Sequence, residues 1–139
     1  MNLFVYGTLM DADIMGRVTG SAYQSQEATL QEYSRRTVRG EVYPAIIKQC
    51  GCSVDGVVYF NISLVDIERL DKFEGSLYER IEVEVIFNNG ERVSSQTYVI
   101  STKSAHQLSN DNWSYDNFLA KHKNQFQNGY YGYDELESS

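Results

Sequence analysis

Ile81-Glu82-Val83-Glu84-Val85-Ile86-Phe87-Asn88-Asn89-Gly90 decides the fold class. Ile81, Val83, Val85 and Phe87 alternate with Glu82, Glu84 and Ile86, the period of two expected of a strand with one buried face. Asn-Asn-Gly supplies residues that tolerate positive φ, and Val93 to Ile100 resumes an apolar-rich run. The stretch therefore predicts a β-hairpin.

Working outward, Leu3-Phe4-Val5-Tyr6 reads as a short buried strand that stops at Gly7. A helix is predicted from about Asp11 to Val18, closed by Gly20. Strands are predicted over 28–38, 41–48 and 56–60. Pro44 has no N–H for a ladder, so the second of these should lie at an edge or a bulge there. Ser63, with Asp66 three residues on, opens a helix carrying Leu64, Ile67 and Leu70. Residues 101–112 read as polar loop. A last helix from Trp113 to about Phe126 aligns Tyr115, Phe118, Leu119, His122 and Phe126 on one face. The tail from Gln127 shows neither period. These elements predict one α+β domain over residues 1–126, with a mixed or antiparallel sheet curled into a small barrel, flanking helices and a C-terminal tail over 127–139.

The 139-residue chain is 42% hydrophobic, 22% charged and 13% aromatic, a globular composition. Its formal net charge of −7 opposes a phosphate backbone, and nucleic-acid binding is not expected. Arg35, Arg36 and Arg39 form the one basic cluster and read as the solvated face of a strand. No run approaches the ~18 apolar residues of a membrane span. The start, Met-Asn-Leu-Phe-Val-Tyr-Gly, lacks a basic stretch followed by an apolar one, so a cytoplasmic protein without signal peptide is expected. Cys50 and Cys52 have no second cluster to complete a zinc site and read as free thiols.

Two features could carry chemistry. A buried strand ending at Tyr6-Gly7-Thr8-Leu9 can present successive backbone N–H groups to a carboxylate or an oxyanion. Turn geometry alone also explains such a glycine. Glu74 lies four residues after Leu70 and seven after Ile67, on the apolar stripe if the helix reaches it. A carboxyl there is desolvated and its pKa rises toward neutrality, as a general acid–base requires. A solvent-facing glutamate beside a Gly75 C-cap fits the same spacing. His106 and His122 have no nucleophile signature nearby, and motifs for phosphate, dinucleotide or zinc chemistry are missing.

Taken in order, Phe4-Val5-Tyr6-Gly7-Thr8-Leu9, Arg39-Gly40-Glu41-Val42-Tyr43-Pro44-Ala45-Ile46, Gly56-Val57-Val58-Tyr59 and Leu70-Asp71-Lys72-Phe73-Glu74-Gly75 with Tyr78 and Arg80 resemble the gamma-glutamylcyclotransferase-like family. Within it, the branch of gamma-glutamylamine cyclotransferase and the plant avirulence-induced-gene proteins looks closest. The resemblance spans roughly residues 3 to 100, and Trp113 with Phe118 also looks like that branch's C-terminal helix. It implies a small mixed barrel, with the Gly7–Leu9 backbone holding a glutamyl moiety and Glu74 as catalytic acid–base. Tyr6, Tyr43, Tyr78 and Tyr98 would line the pocket. The implied reaction is attack of the substrate's own α-amine on its γ-carbonyl, giving 5-oxoproline and a free amine. It needs no metal, nucleotide or other cofactor, and its partner is a small gamma-glutamyl amine or peptide. A non-catalytic binding module on the same fold is the alternative. Oligomeric state and the leaving amine are not legible.

Overall fold

The structure is a computed structural model, described here for residues 1–123. In chain order it contains β1 (Leu3–Val5), a 3-10 turn (Thr8–Met10), α1 (Ala12–Thr19), β2 (Ser25–Val38) and β3 (Pro44–Tyr59). There follow α2 (Leu64–Glu74), a second 3-10 turn (Gly75–Leu77), β4 (Tyr78–Phe87) and β5 (Arg92–Ile100). A third 3-10 turn (Thr102–Gln107), β6 (Leu108–Asn112), α3 (Tyr115–Asn117) and a wider π-type turn (Phe118–His122) complete it. The last predicted residues of the final helix, including Phe126, and the tail lie outside the described residues.

The sheet runs β3-β1-β5-β4-β2-β6, and β2 also pairs with β3. Five strands thus close on themselves and β6 extends β2 as a sixth. The β1–β5 pairing is parallel and the others antiparallel, so the barrel is mixed. Closure removes most of the exposed sheet edge. Alternation along β1 divides the core. Phe4, with Tyr6 just beyond the strand, packs inside with Ile46, Val58, Val85 and Phe87. Leu3 and Val5 face outward against Ile14, Val18, Ile67, Leu70 and Phe73 of the two helices.

Local chemistry explains the helices. Asp11 caps α1 by accepting from the amides of Asp13 and Ile14, at 2.9 and 3.2 Å. Ser63 caps α2 by accepting from Asp66 N at 3.2 Å. The reciprocal half of a capping box does not form, because Asp66 accepts instead from the Tyr23 hydroxyl. The buried stripe of α2 is Ile67, Leu70 and Phe73, while Leu64 is 68% exposed. Leu64 was expected in the stripe but sits in the first turn, before the helix reaches the core.

Four other expectations change. Strands 41–48 and 56–60 are one continuous β3, because the ladder to β2 resumes across an irregularity. Tyr33 pairs with Lys48 and Gln31 with Ser53, so residues 49–52 stand opposite Glu32 alone. Residues 101–112 form a turn and a strand, because β2 is long enough for Arg36 and Val38 to pair with Asn112 and Leu108. Leu119 lies 40% exposed beside buried Phe118, since the wider turn rotates it off the packed face. Arg35 belongs to no solvated face: one guanidinium nitrogen donates to Tyr6 O at 2.8 Å, and its carbon lies 5.4 Å from the Trp113 ring centroid. Pro44 is the first residue of β3, where a missing N–H breaks no ladder. Among the described residues no helix is long and apolar enough to cross a membrane.

Candidate functional site

The floor of the site begins where β1 ends. After Tyr6 the chain turns sharply through Thr8–Met10, with Met10 N donating to Gly7 O at 3.0 Å and Asp11 N to Thr8 O at 3.1 Å. The amides of Thr8 and Leu9 open this turn and have no acceptor within it. Gly7 is required by packing: a Cβ there would lie 2.7 Å from Pro44 Cγ and 2.9 Å from Pro44 Cδ. The start of β3 is thereby laid directly against the turn.

The opposite wall is the end of α2. Phe73 is buried, Glu74 is the last helical residue, and Gly75 leaves the helix at φ 73° and ψ −165°. That combination is open essentially to glycine alone. It ends α2 immediately after Glu74 and turns the chain through Gly75–Leu77 into β4, which keeps the carboxyl on the barrel side.

A small cleft, partly open to solvent, lies between these walls. It is lined by Tyr6, Gly7, Thr8, Leu9, Tyr43, Glu74, Tyr78 and Tyr98, together with Phe4, Val5, Pro44 and Phe73. All eight residues singled out in the sequence thus meet in one place. Residues 4, 5, 44 and 73 were not assigned to the site. Of these, only Pro44 left a signal, as the lone proline in a predicted strand.

Glu74 is the sole carboxylate in this lining. The residue keeps some accessible surface, but protein surrounds the carboxyl, and desolvation pushes its pKa up to about 8. Repulsion from Asp71, one turn earlier, adds to the shift. Three of the tyrosines have committed hydroxyls. Tyr6 donates to Tyr98 O, Tyr78 donates to Pro44 O and Tyr98 donates to Asp71 Oδ1, each at 2.6 Å. Burial, then the neighbouring Glu41 and Glu74 carboxylates, raises Tyr43 to about 12. Burial raises Tyr6 strongly, and Tyr98 is raised by burial and by its bond to Asp71. These phenols stay protonated near neutral pH and offer ring walls. Glu74 is therefore the lining group suited to exchanging a proton at physiological pH. Among the described residues no cluster of metal-ligating side chains forms.

His106 lies in the third 3-10 turn, outside this lining, and its carbonyl accepts from Arg39 Nε at 3.2 Å. Cys50 and Cys52 are free, on the irregular part of β3.

Comparison with known proteins follows this geometry. A family profile described as "Gamma-glutamyl cyclotransferase, AIG2-like" matches residues 3–115. "AIG2-like protein D" of Arabidopsis thaliana is 33% identical over 127 residues, covering 90% of this chain and 83% of its own length. "AIG2-like protein A" of the same plant is 29% identical, over 90% of this chain and 76% of its own. Among solved structures, an Arabidopsis thaliana protein determined in solution superposes with a TM-score of 0.71 at 26% identity, over 99% of this chain and 93% of that one. A structure titled "Gamma-glutamyl cyclotransferase" superposes with a TM-score of 0.67 at 18% identity, over 99% and 86% of the two chains. At that identity the likeness concerns the fold.

Proposed function

The chain belongs to the gamma-glutamyl cyclotransferase, AIG2-like family, and from that premise we propose that it cyclises gamma-glutamyl amines or peptides to 5-oxoproline, with Glu74 as acid–base. The observation that carries this reading is the cleft itself. A single carboxyl with a pKa of about 8 shares a small cleft with the Thr8–Leu9 turn, whose leading amides have no acceptor within the turn, and the other walls are aromatic and apolar.

In the proposed reaction the substrate's glutamyl part lies along Gly7, Thr8 and Leu9. Ionised Glu74 takes a proton from the α-ammonium group, which is mostly protonated near neutrality. The freed amine attacks the γ-carbonyl carbon, and the new C–N bond closes a five-membered ring. Backbone N–H groups of the turn receive the oxyanion of the tetrahedral intermediate. Glu74 returns its proton to the departing nitrogen, the ring nitrogen gives up its surplus proton to solvent, the old C–N bond breaks, and 5-oxoproline and the free amine leave. The nucleophile belongs to the substrate, so the residues mainly fold it into the attacking conformer. Such orientation is worth up to roughly 7–11 kcal/mol in well-placed intramolecular reactions. Acid–base help contributes typically about 10²–10⁴-fold. Tyr6, Tyr43, Tyr78 and Tyr98 act as walls that exclude water, because their hydroxyls are committed or remain protonated.

The test is incubation with gamma-glutamyl amines, gamma-glutamyl dipeptides and glutathione while 5-oxoproline is assayed. Release from at least one class, lost in Glu74→Gln, is the expected result. Saturable binding with no product from any of them would identify a binding module instead.

A further inference from the structure

Apart from Tyr98, the side-chain cluster behind Glu74 is not part of the cleft lining. Asp71 stands one helical turn before Glu74, on the same side of α2. Its Oδ1 accepts from Tyr98 OH at 2.6 Å and from Arg80 Nε at 2.9 Å, and its Oδ2 accepts from a terminal Arg80 nitrogen at 3.2 Å. The other terminal nitrogen of Arg80 donates to Gln96 Oε1 at 3.1 Å. Arg80 and Tyr98 are directly opposite each other in the β4–β5 ladder. A two-point grip of Arg on carboxylate fixes orientation as well as distance. The end of α2 is thus pinned to the hairpin at a single carboxylate, and Glu74 follows it one turn later at the last helical position.

We propose that Asp71 is the positioning residue of this site: held by Arg80 and Tyr98, it sets where Glu74 stands and keeps a second, partly neutralised negative charge one turn away. The inference rests on Glu74 being the proton-transfer group, but its physical content is the coupling of the two carboxyls. The Asp71 side chain is 41% exposed and that of Arg80 26%, so solvent screens the pair and little of the fold's stability rests on it. The charged and titratable groups around Glu74 are Asp71 on its own helix, Arg80 on β4, Tyr98 on β5, Tyr6 after β1 and Tyr43 before β3. The tyrosines remain neutral over the working range, so Asp71 is the charge that acts on Glu74, and Arg80 acts on it through Asp71.

Their effects have opposite signs. Asp71→Asn deletes a negative neighbour and leaves the guanidinium uncompensated, so Glu74 ionises more readily. Arg80→Gln leaves the Asp71 charge unscreened, so Glu74 ionises less readily. Each displacement is roughly half a unit to one unit for charges at this spacing near a protein surface. Simple loosening would admit water to Glu74 and move both variants downward. Arg80→Lys keeps the charge but not the fork. It should leave the Glu74 midpoint in place and lower kcat about five- to tenfold with little change in KM.

The experiment is carbon-13 NMR titration of the Glu74 carboxyl, assigned by its loss in Glu74→Gln, in the wild type and the three variants. A wild-type midpoint near 8, moving down in Asp71→Asn and up in Arg80→Gln, supports the proposal. A wild-type midpoint in the ordinary carboxylate range, or displacements that are absent or of one sign, overturns it. Should Asp71→Asn fail to fold, Arg80→Gln decides alone: an upward move supports the proposal, and no move or a downward one overturns it. The titration needs no substrate. If no gamma-glutamyl compound yields 5-oxoproline, the cyclotransferase reading falls while the coupling is still decided.

Discussion

A carboxyl placed where Glu74 stands works against the fold. Its pKa is about 4.3 in an unfolded chain and about 8 in the cleft, so between those values the folded protein binds more protons than the unfolded one. Stability therefore falls as pH rises through that window, and the penalty is fully present above it. At roughly 1.4 kcal/mol per unit, the penalty is on the order of a few kcal/mol. Glu74→Gln should accordingly be more stable than the wild type in urea melts at pH 8.5 and indistinguishable from it at pH 4. A gain of equal size at both pH values would show that burial does not disfavour the ionised form. In the proposed reaction the same proton governs turnover. For a substrate that reacts, kcat/KM should rise with pH through about 8, and that limb should be missing from the residual activity of Glu74→Gln, itself down a hundredfold or more. Helical spacing placed Glu74 on the inward stripe but could not decide whether the helix extended to it. Gly75, in a conformation only glycine adopts, is the feature that ends α2 immediately after Glu74.

At the scale of elements, the geometry of the cleft depends on two glycines used for different physical reasons. Gly75→Ala forces a Cβ into φ 73° and ψ −165°, a region that costs of order 1–3 kcal/mol. Its effect should appear as lost stability together with a displaced Glu74, and so as reduced kcat. Gly7→Ala meets no φ penalty, since Gly7 is at φ −130°, but its Cβ would stand 2.7 Å from the Pro44 ring. Relieving that overlap separates the turn from β3 and should cost about 1–3 kcal/mol. It should raise KM more than it lowers kcat, because in the proposed reaction the turn binds the part of the substrate common to all gamma-glutamyl compounds. Pro44→Ala added to Gly7→Ala should recover part of both losses. A double variant no better than Gly7→Ala alone would place the strain elsewhere. Elements with local signals were legible in the sequence: α1 between Asp11 and Gly20, α2 after Ser63, and the hairpin at Asn89-Gly90. The unity of β3 was not, because the irregularity at residues 49–52 is set by the register against β2. Nor was β6, whose Leu-Ser-Asn-Asp-Asn becomes a strand only because β2 extends far enough to pair with it.

At the scale of the whole molecule, barrel closure brings together what lies far apart in sequence: the turn at 7–9, Pro44, Glu74, Tyr78 and Tyr98. No periodicity could foretell that meeting, and the ordered motifs of the family resemblance carried the expectation. Closure alone does not hold the turn from behind. That is the task of the last described segment. Trp113 donates from Nε1 to Val42 O at 2.8 Å, next to Tyr43 of the cleft, and its ring packs 5.8 Å from that of Phe118. Lys123 Nζ lies 3.0 Å from a carboxylate oxygen of each of Asp11 and Asp13, at the start of α1. Phe118 is 1% exposed within the cluster that also contains Leu9 and Phe73, one from each wall of the cleft. Removing this ring leaves a void in the cluster to which both walls belong, at a cost of about 3–5 kcal/mol. Phe118→Ala should therefore lower the urea midpoint sharply and raise KM as the walls relax toward the void. Leu119→Ala, at the neighbouring exposed position, should stay within about 0.5 kcal/mol of the wild type. Comparing the two by urea unfolding and by the 5-oxoproline assay isolates packing from mere presence of the segment. Equal losses in both variants would mean that the segment does not support the cleft through Phe118.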